Sequence, residues 1–114
     1  MRKRLYLAGP LFSLAEKQFN VKLKTLLSEY FEVYLPQEDG GLLVDMIKEG
    51  IPALDANRRV FEIDVAALEW CDCIFIILDG RTVDEGAAFE LGYAYARGKE
   101  CFALQTDPRR LFSN

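Results

Sequence analysis

Along the 114-residue chain, short dense apolar runs alternate with longer stretches whose apolar residues recur at helical spacing. Leu5-Tyr6-Leu7-Ala8 is a short apolar run stopped by Gly9-Pro10, which predicts a buried strand from about Arg4 to Ala8. Ser13 stands three residues before Glu16, a capping-box signature. Behind it Ala15, Phe19, Leu23, Leu26, Leu27 and Tyr30 predict an amphipathic helix to about Tyr30. Phe31 to Leu35 reads as a second strand closed by Pro36, followed by a polar loop from Gln37 to Gly41 and a short helix from Gly41 to Glu49. A longer helix from about Ala53 to Trp70 precedes Cys73 to Leu78, a run apolar on both faces and therefore a central strand. Gly86 to Ala96 has the look of another buried helix, and Glu100 to Gln105 reads as a fourth strand.

Strands that alternate with helices imply a parallel sheet covered on both faces, here one domain over residues 1–114. Ligands of such doubly wound sheets bind beyond the carboxyl ends of the strands. The segments Gly9-Pro10, Pro36 to Gly41 and Asp79 to Asp84 all follow strands, so all three should gather at that edge. Only Thr106, an Asp107-Pro108-Arg109-Arg110 turn and four more residues follow the last strand. One sheet edge is thus expected to lack its helix, through a missing or disordered tail or because a partner subunit covers it.

Composition narrows the chemistry. With 51% hydrophobic and 28% charged residues the chain has the balance of a globular domain, and its net charge of −4 argues against a nucleic-acid polymer or an anionic membrane as partner. No apolar run approaches the ~18 residues of a membrane span, and a cytoplasmic protein is expected. Cys71, Cys73 and Cys101 are odd in number and lack a zinc-site spacing, so they read as buried thiols in a reducing compartment. Histidine is absent, which removes the commonest general base and metal ligand. The expectation is carboxylate chemistry with no metal and no cofactor.

Two carboxylates stand where the pattern calls for apolar residues. Asp64 shares the stripe of Val60, Phe61, Ala67, Leu68 and Cys71, whereas Arg58, Glu62 and Glu69 lie on the opposite, solvated side. It could be paired with Arg58 or Arg59, as structural ion pairs also bury carboxylates, or lie at the exposed margin of the stripe. Glu90 has Gly86, Ala87, Tyr93 and Ala94 as helical neighbours, none of them basic. Gly86 and Gly92 cost the helix roughly 1 kcal/mol each against alanine, which suggests close approach of a ligand or another backbone. Asp84 can serve as a helix cap or hold a ligand hydroxyl. Two carboxylates in apolar surroundings resemble the logic of retaining glycoside hydrolysis, one group attacking the anomeric carbon and the other protonating the leaving group.

Tyr6-Leu7-Ala8-Gly9-Pro10 together with Asp84-Glu85-Gly86-Ala87-Ala88-Phe89-Glu90-Leu91-Gly92 resembles the nucleoside 2-deoxyribosyltransferase family, from the first strand to about Gln105. The resemblance implies a flavodoxin-like, three-layer α/β/α domain with strand order 2-1-3-4-5 and cleavage of an N-glycosidic bond. It implies Glu90 as the nucleophile that forms a glycosyl ester, Tyr6 as the residue that orients it, and Asp64 as the acid and base toward the departing and incoming bases. Asp84 would hold sugar hydroxyls, Gly9 and Gly86 would line the sugar's approach, and Gln37 would contact the base. It also implies a homo-oligomer in which Asn114 completes a neighbour's site, and a deoxynucleoside and a free nucleobase as partners. The alternatives are hydrolysis of a 2′-deoxynucleoside 5′-monophosphate, a receiver-like module with Asp79 as phosphoacceptor, and a non-catalytic nucleoside-binding protein. The acidic end of Asp79-Gly80-Arg81-Thr82-Val83-Asp84 would repel a phosphate, although Arg81 and Thr82 could offset it, so a free 5′-hydroxyl is expected.

Overall fold

The computed structural model describes residues 2–41 and 43–109. Four strands form one parallel sheet in the order β2-β1-β3-β4: β1 (Lys3–Ala8), β2 (Phe31–Tyr34), β3 (Cys73–Ile77) and β4 (Glu100–Leu104). Helices α1 (Leu14–Leu27), α2 (Pro36–Asp39), α3 (Leu43–Lys48), α4 (Ala53–Trp70) and α5 (Glu85–Ala96) connect them. The expected order is met as far as its fourth strand; no fifth strand lies among the described residues.

The pleat divides β1 between two cores. Alternate side chains point to opposite faces, so Leu5 and Leu7 join Leu35, Cys73 and Ile77 under Phe19, Leu23 and Leu27 of α1. Tyr6 and Ala8 turn the other way and pack with Ala67, Leu68 and Cys71 at the end of α4 and with Ala87 and Ala94 of α5. Every member of these two sets that lies on β1 or β3 is buried, which is why the two strands read as unbroken apolar runs. β4 is different: four of its five residues are exposed, Phe102 to 45%, and no strand among the described residues pairs with its outer edge.

Local chemistry sets the element ends. The predicted capping box of α1 is formed, with Glu16 N–H donating to the Ser13 hydroxyl (3.1 Å) and Ser13 N–H to the Glu16 carboxylate (2.8 Å). The helix stops at Leu27 rather than Tyr30, because the chain turns through Ser28–Tyr30 into β2; Leu26 and Tyr30 are consequently exposed, at 56% and 70%. The expected polar loop from Gln37 to Gly41 is instead mostly the single turn α2. Pro36 at its first position presets φ, and the Asp39 carboxylate accepts from Leu35 N–H at 2.8 Å and clasps the turn. Cys71 and Cys73 are buried as expected, but Cys101 is exposed on the outer strand. No helix among the described residues is long and apolar enough to cross a membrane.

Candidate active site

The crossover order carries residues from both halves of the sequence to the carboxyl edge of β1. Tyr6, on the α4/α5 face of β1, donates its phenolic hydrogen to Glu90 Oε2 on α5. Tyr6 and Tyr34 are register partners on β1 and β2, so both side chains leave the sheet on the same face, and their rings stack at 5.2 Å with planes 24° apart. Tyr34 in turn donates to Asp64 Oδ1 on α4 at 3.0 Å. Two stacked phenols thus each hold one carboxylate. Asp64 has no arginine or lysine ion pair among the described residues, so Arg58 and Arg59 do not account for its place on the stripe. The N-terminal part of that stripe is open, with Val60 half-buried and Phe61 exposed against Phe89.

Burial pushes the Glu90 carboxyl up to about 7; the Tyr6 hydrogen bond works against this, and the charges of Asp64 and Asp84 add to it. Asp64 is also raised, again first by burial, with the Tyr34 hydrogen bond opposing. Tyr6 and Tyr34 are both raised, through burial and the neighbouring carboxylates, and remain hydrogen donors at any physiological pH. The site is therefore a coupled pair of carboxyls that can hold one proton between them near neutrality.

The other expected residues surround this pair. Asp84 caps α5, its Oδ2 accepting from Ala87 N–H at 2.9 Å, and its charge reaches Glu90. A Cβ at Gly86 would sit 3.2 Å from that same oxygen, so glycine keeps the carboxylate uncrowded. Gly92, by contrast, approaches nothing among the described residues, and the close-approach reading finds no support there within the chain. Gly9 runs against β3: a Cβ would stand 3.1 Å from Ile77 Cβ. Gln37 lies on α2 with both ends of its amide engaged, Oε1 accepting from Asn20 Nδ2 at 2.9 Å and Nε2 donating to the Lys17 carbonyl at 3.1 Å. Asn114 lies outside the described residues. Asp79 accepts from Thr106 N–H (2.7 Å) and Asp107 N–H (2.8 Å), which fastens the β3–α5 loop to the segment after β4. Burial opposes its ionisation, but these bonds and the Thr106 hydroxyl prevail and lower its pKa. That role weighs against a phosphoacceptor.

Two contributors escaped the sequence reading. Asn20, the buried polar residue of α1, donates to the Pro10 carbonyl at 3.0 Å as well as to Gln37, so it ties the β1–α1 loop to α2. Tyr34 was legible only as a strand residue; its partner Asp64 follows from the strand register, which spacing along one segment cannot supply.

A family model described as nucleoside 2-deoxyribosyltransferase matches residues 5–113. The chain belongs to that family. It is 30% identical over 115 residues to an uncharacterized protein of Ureaplasma parvum serovar 3, covering 93% of this chain and 72% of the relative. Among solved structures it resembles a conserved protein from Enterococcus faecalis V583 (31% identity, TM-score 0.71, 95% of this chain and 66% of that one). A 2-deoxyribosyltransferase from Leishmania mexicana is similar at 25% identity and TM-score 0.64, over 94% of this chain and 67% of its own. The fold is also that of the 2-deoxyribosyltransferase from Bacillus psychrosaccharolyticus (24% identity, TM-score 0.77, 93% and 74% covered). The chain thus spans about two thirds to three quarters of the length of these proteins.

Proposed function

We propose that the protein transfers 2-deoxyribose between nucleobases by double displacement on Glu90, with no metal or cofactor. The observation that carries this reading is the pair of carboxyls at the carboxyl edge of the sheet, one held by Tyr6 and one by Tyr34, without basic partners among the described residues and able to keep one proton between them. In the first half-reaction the Glu90 carboxylate attacks C1′ of a 2′-deoxynucleoside, and the C1′–N bond electrons go to the base. Asp64 gives that base its proton, leaving a glycosyl ester on Glu90 and an Asp64 carboxylate. In the second, an incoming base loses its proton to Asp64 and attacks C1′, which breaks the ester and restores Glu90. The Tyr6 phenol stabilises Glu90 as a carboxylate both before attack and on release. Asp84 accepts a hydrogen bond from a sugar hydroxyl, and its charge favours a free 5′-hydroxyl over a 5′-phosphate. Gly9 and Gly86 line the sugar's approach.

Product analysis with deoxyinosine, with and without adenine, tests the reading. Transfer predicts deoxyadenosine and hypoxanthine when adenine is present and little base release without it. Faster release of base from a 2′-deoxynucleoside 5′-monophosphate, with sugar phosphate and no new nucleoside, would instead make the protein a nucleotide hydrolase.

A further inference from the structure

We propose that Tyr34 is a positioning residue for Asp64, as Tyr6 is for Glu90, and that the stacked tyrosine pair fixes the two carboxyls relative to each other. This rests on the transfer reading above, in which Asp64 is the acid and base. Strand register places the two rings side by side, and their stacking at 5.2 Å leaves each phenol pointing at a different helix. Tyr34 meets Asp64 at 3.0 Å, whereas Tyr6 meets Glu90. Behind the Tyr34–Asp64 bond lies Gly40, where a Cβ would stand 3.1 Å from both Tyr34 Oη and Asp64 Oδ1 and only 2.7 Å from the Pro36 carbonyl. Backbone thus closes off that side of the bond and leaves no room for a side chain that could compete for Asp64.

A tyrosine at a strand end could simply pack on the core and let its hydroxyl find any acceptor. The difference lies in what the hydroxyl does to Asp64. The groups around that carboxyl are Tyr34 from β2, Tyr6 from β1 and Glu90 from α5, with Asp39 of α2 beside Tyr34. Neither Asp45 nor Lys48 of the adjoining α3 is among the electrostatic partners of Asp64. Tyr34 supplies the hydrogen bond that favours the ionised form, and no cation among the described residues does so. Asp64 must be protonated to release one base and ionised to accept the proton of the next, so this bond sets the balance between the half-reactions.

The test is Tyr34→Phe, which keeps the ring and its stacking but removes the hydroxyl. The reaction needs one proton on the pair, so kcat/KM follows a bell whose limbs are the apparent pKa values of the pair. Losing the phenol disfavours the Asp64 carboxylate, so the limb that Asp64 governs moves to higher pH by roughly half a unit or more while the limb governed by Glu90 stays in place. We expect kcat to fall about tenfold, part of the ~10²–10⁴ typical of acid–base catalysis, with KM nearly unchanged and the loss greatest for the most basic leaving groups. Titration of the Asp64 carboxyl by ¹³C NMR should show the same displacement without substrate. 3-Fluorotyrosine at position 34, a stronger donor, should move it the opposite way and provides a variant that keeps every wild-type contact. An Asp64 titration indifferent to both changes, or a loss uniform across leaving groups with an unmoved limb, would overturn the role of Tyr34 and leave the transfer reading standing. A displaced titration in a protein without transferase activity would overturn the catalytic role while the wild-type assay identified the transfer reading as the part that failed.

Discussion

Glu90 holds its place at a cost that can be measured. Its pKa rises from 4.5 to about 7 on folding, so between those values the folded chain binds more protons than the unfolded chain. Stability is then fully present below about 4.5, falls as pH rises to about 7, and stays lower above it. The loss is on the order of 3 kcal/mol. Glu90→Gln keeps an acceptor for Tyr6 and cannot ionise, so it should match wild type near pH 4 and melt several degrees higher at pH 8. Thermal denaturation across that range checks this; a Glu90→Gln protein no more stable than wild type at pH 8 would contradict the burial described here. Both Glu90 and Asp64 were legible in the sequence because each breaks an apolar stripe. Asp84 was legible in both of its possible uses, and the cap is seen.

At the scale of elements, short motifs proved readable and longer-range ties did not. The Ser13–Glu16 box, the limits of α4 and the double-sided burial of β3 follow from residues adjacent in sequence. α2 was missed because three polar residues after a proline make either a loop or one helical turn, and the clasp from Asp39 decides between them. Asn20 was missed because it sits next to the apolar stripe of α1, and its two acceptors lie ten and seventeen residues away. Removing it would leave the Pro10 carbonyl and the Gln37 amide without their donor. Asn20→Ala should therefore destabilise the fold by ~1–3 kcal/mol, measured by urea denaturation, and should lower activity by loosening the β1–α1 loop against α2. A change within ~0.5 kcal/mol would show that the tie carries no weight.

For the whole molecule, the β2-β1-β3-β4 order is what makes a site out of distant residues. Parallel crossovers bring the ends of β1 and β2, the middle of α4 and the start of α5 to one edge, so positions 6, 34, 64, 84 and 90 converge there. The alternation of elements carried that architecture in the sequence; which tyrosine meets which carboxyl depended on register and pleat, and was visible only in three dimensions. The central claim is that this convergence makes Glu90 a nucleophile. Its most direct test is acid-quenched mass spectrometry of the protein incubated with a 2′-deoxynucleoside and no acceptor base, followed by peptide mapping. The account predicts one 2-deoxyribosyl group on the peptide that contains Glu90, discharged when a free base is added before the quench. Base release with Glu90 unmodified, or with the sugar on Asp64 or Asp84 instead, would contradict it.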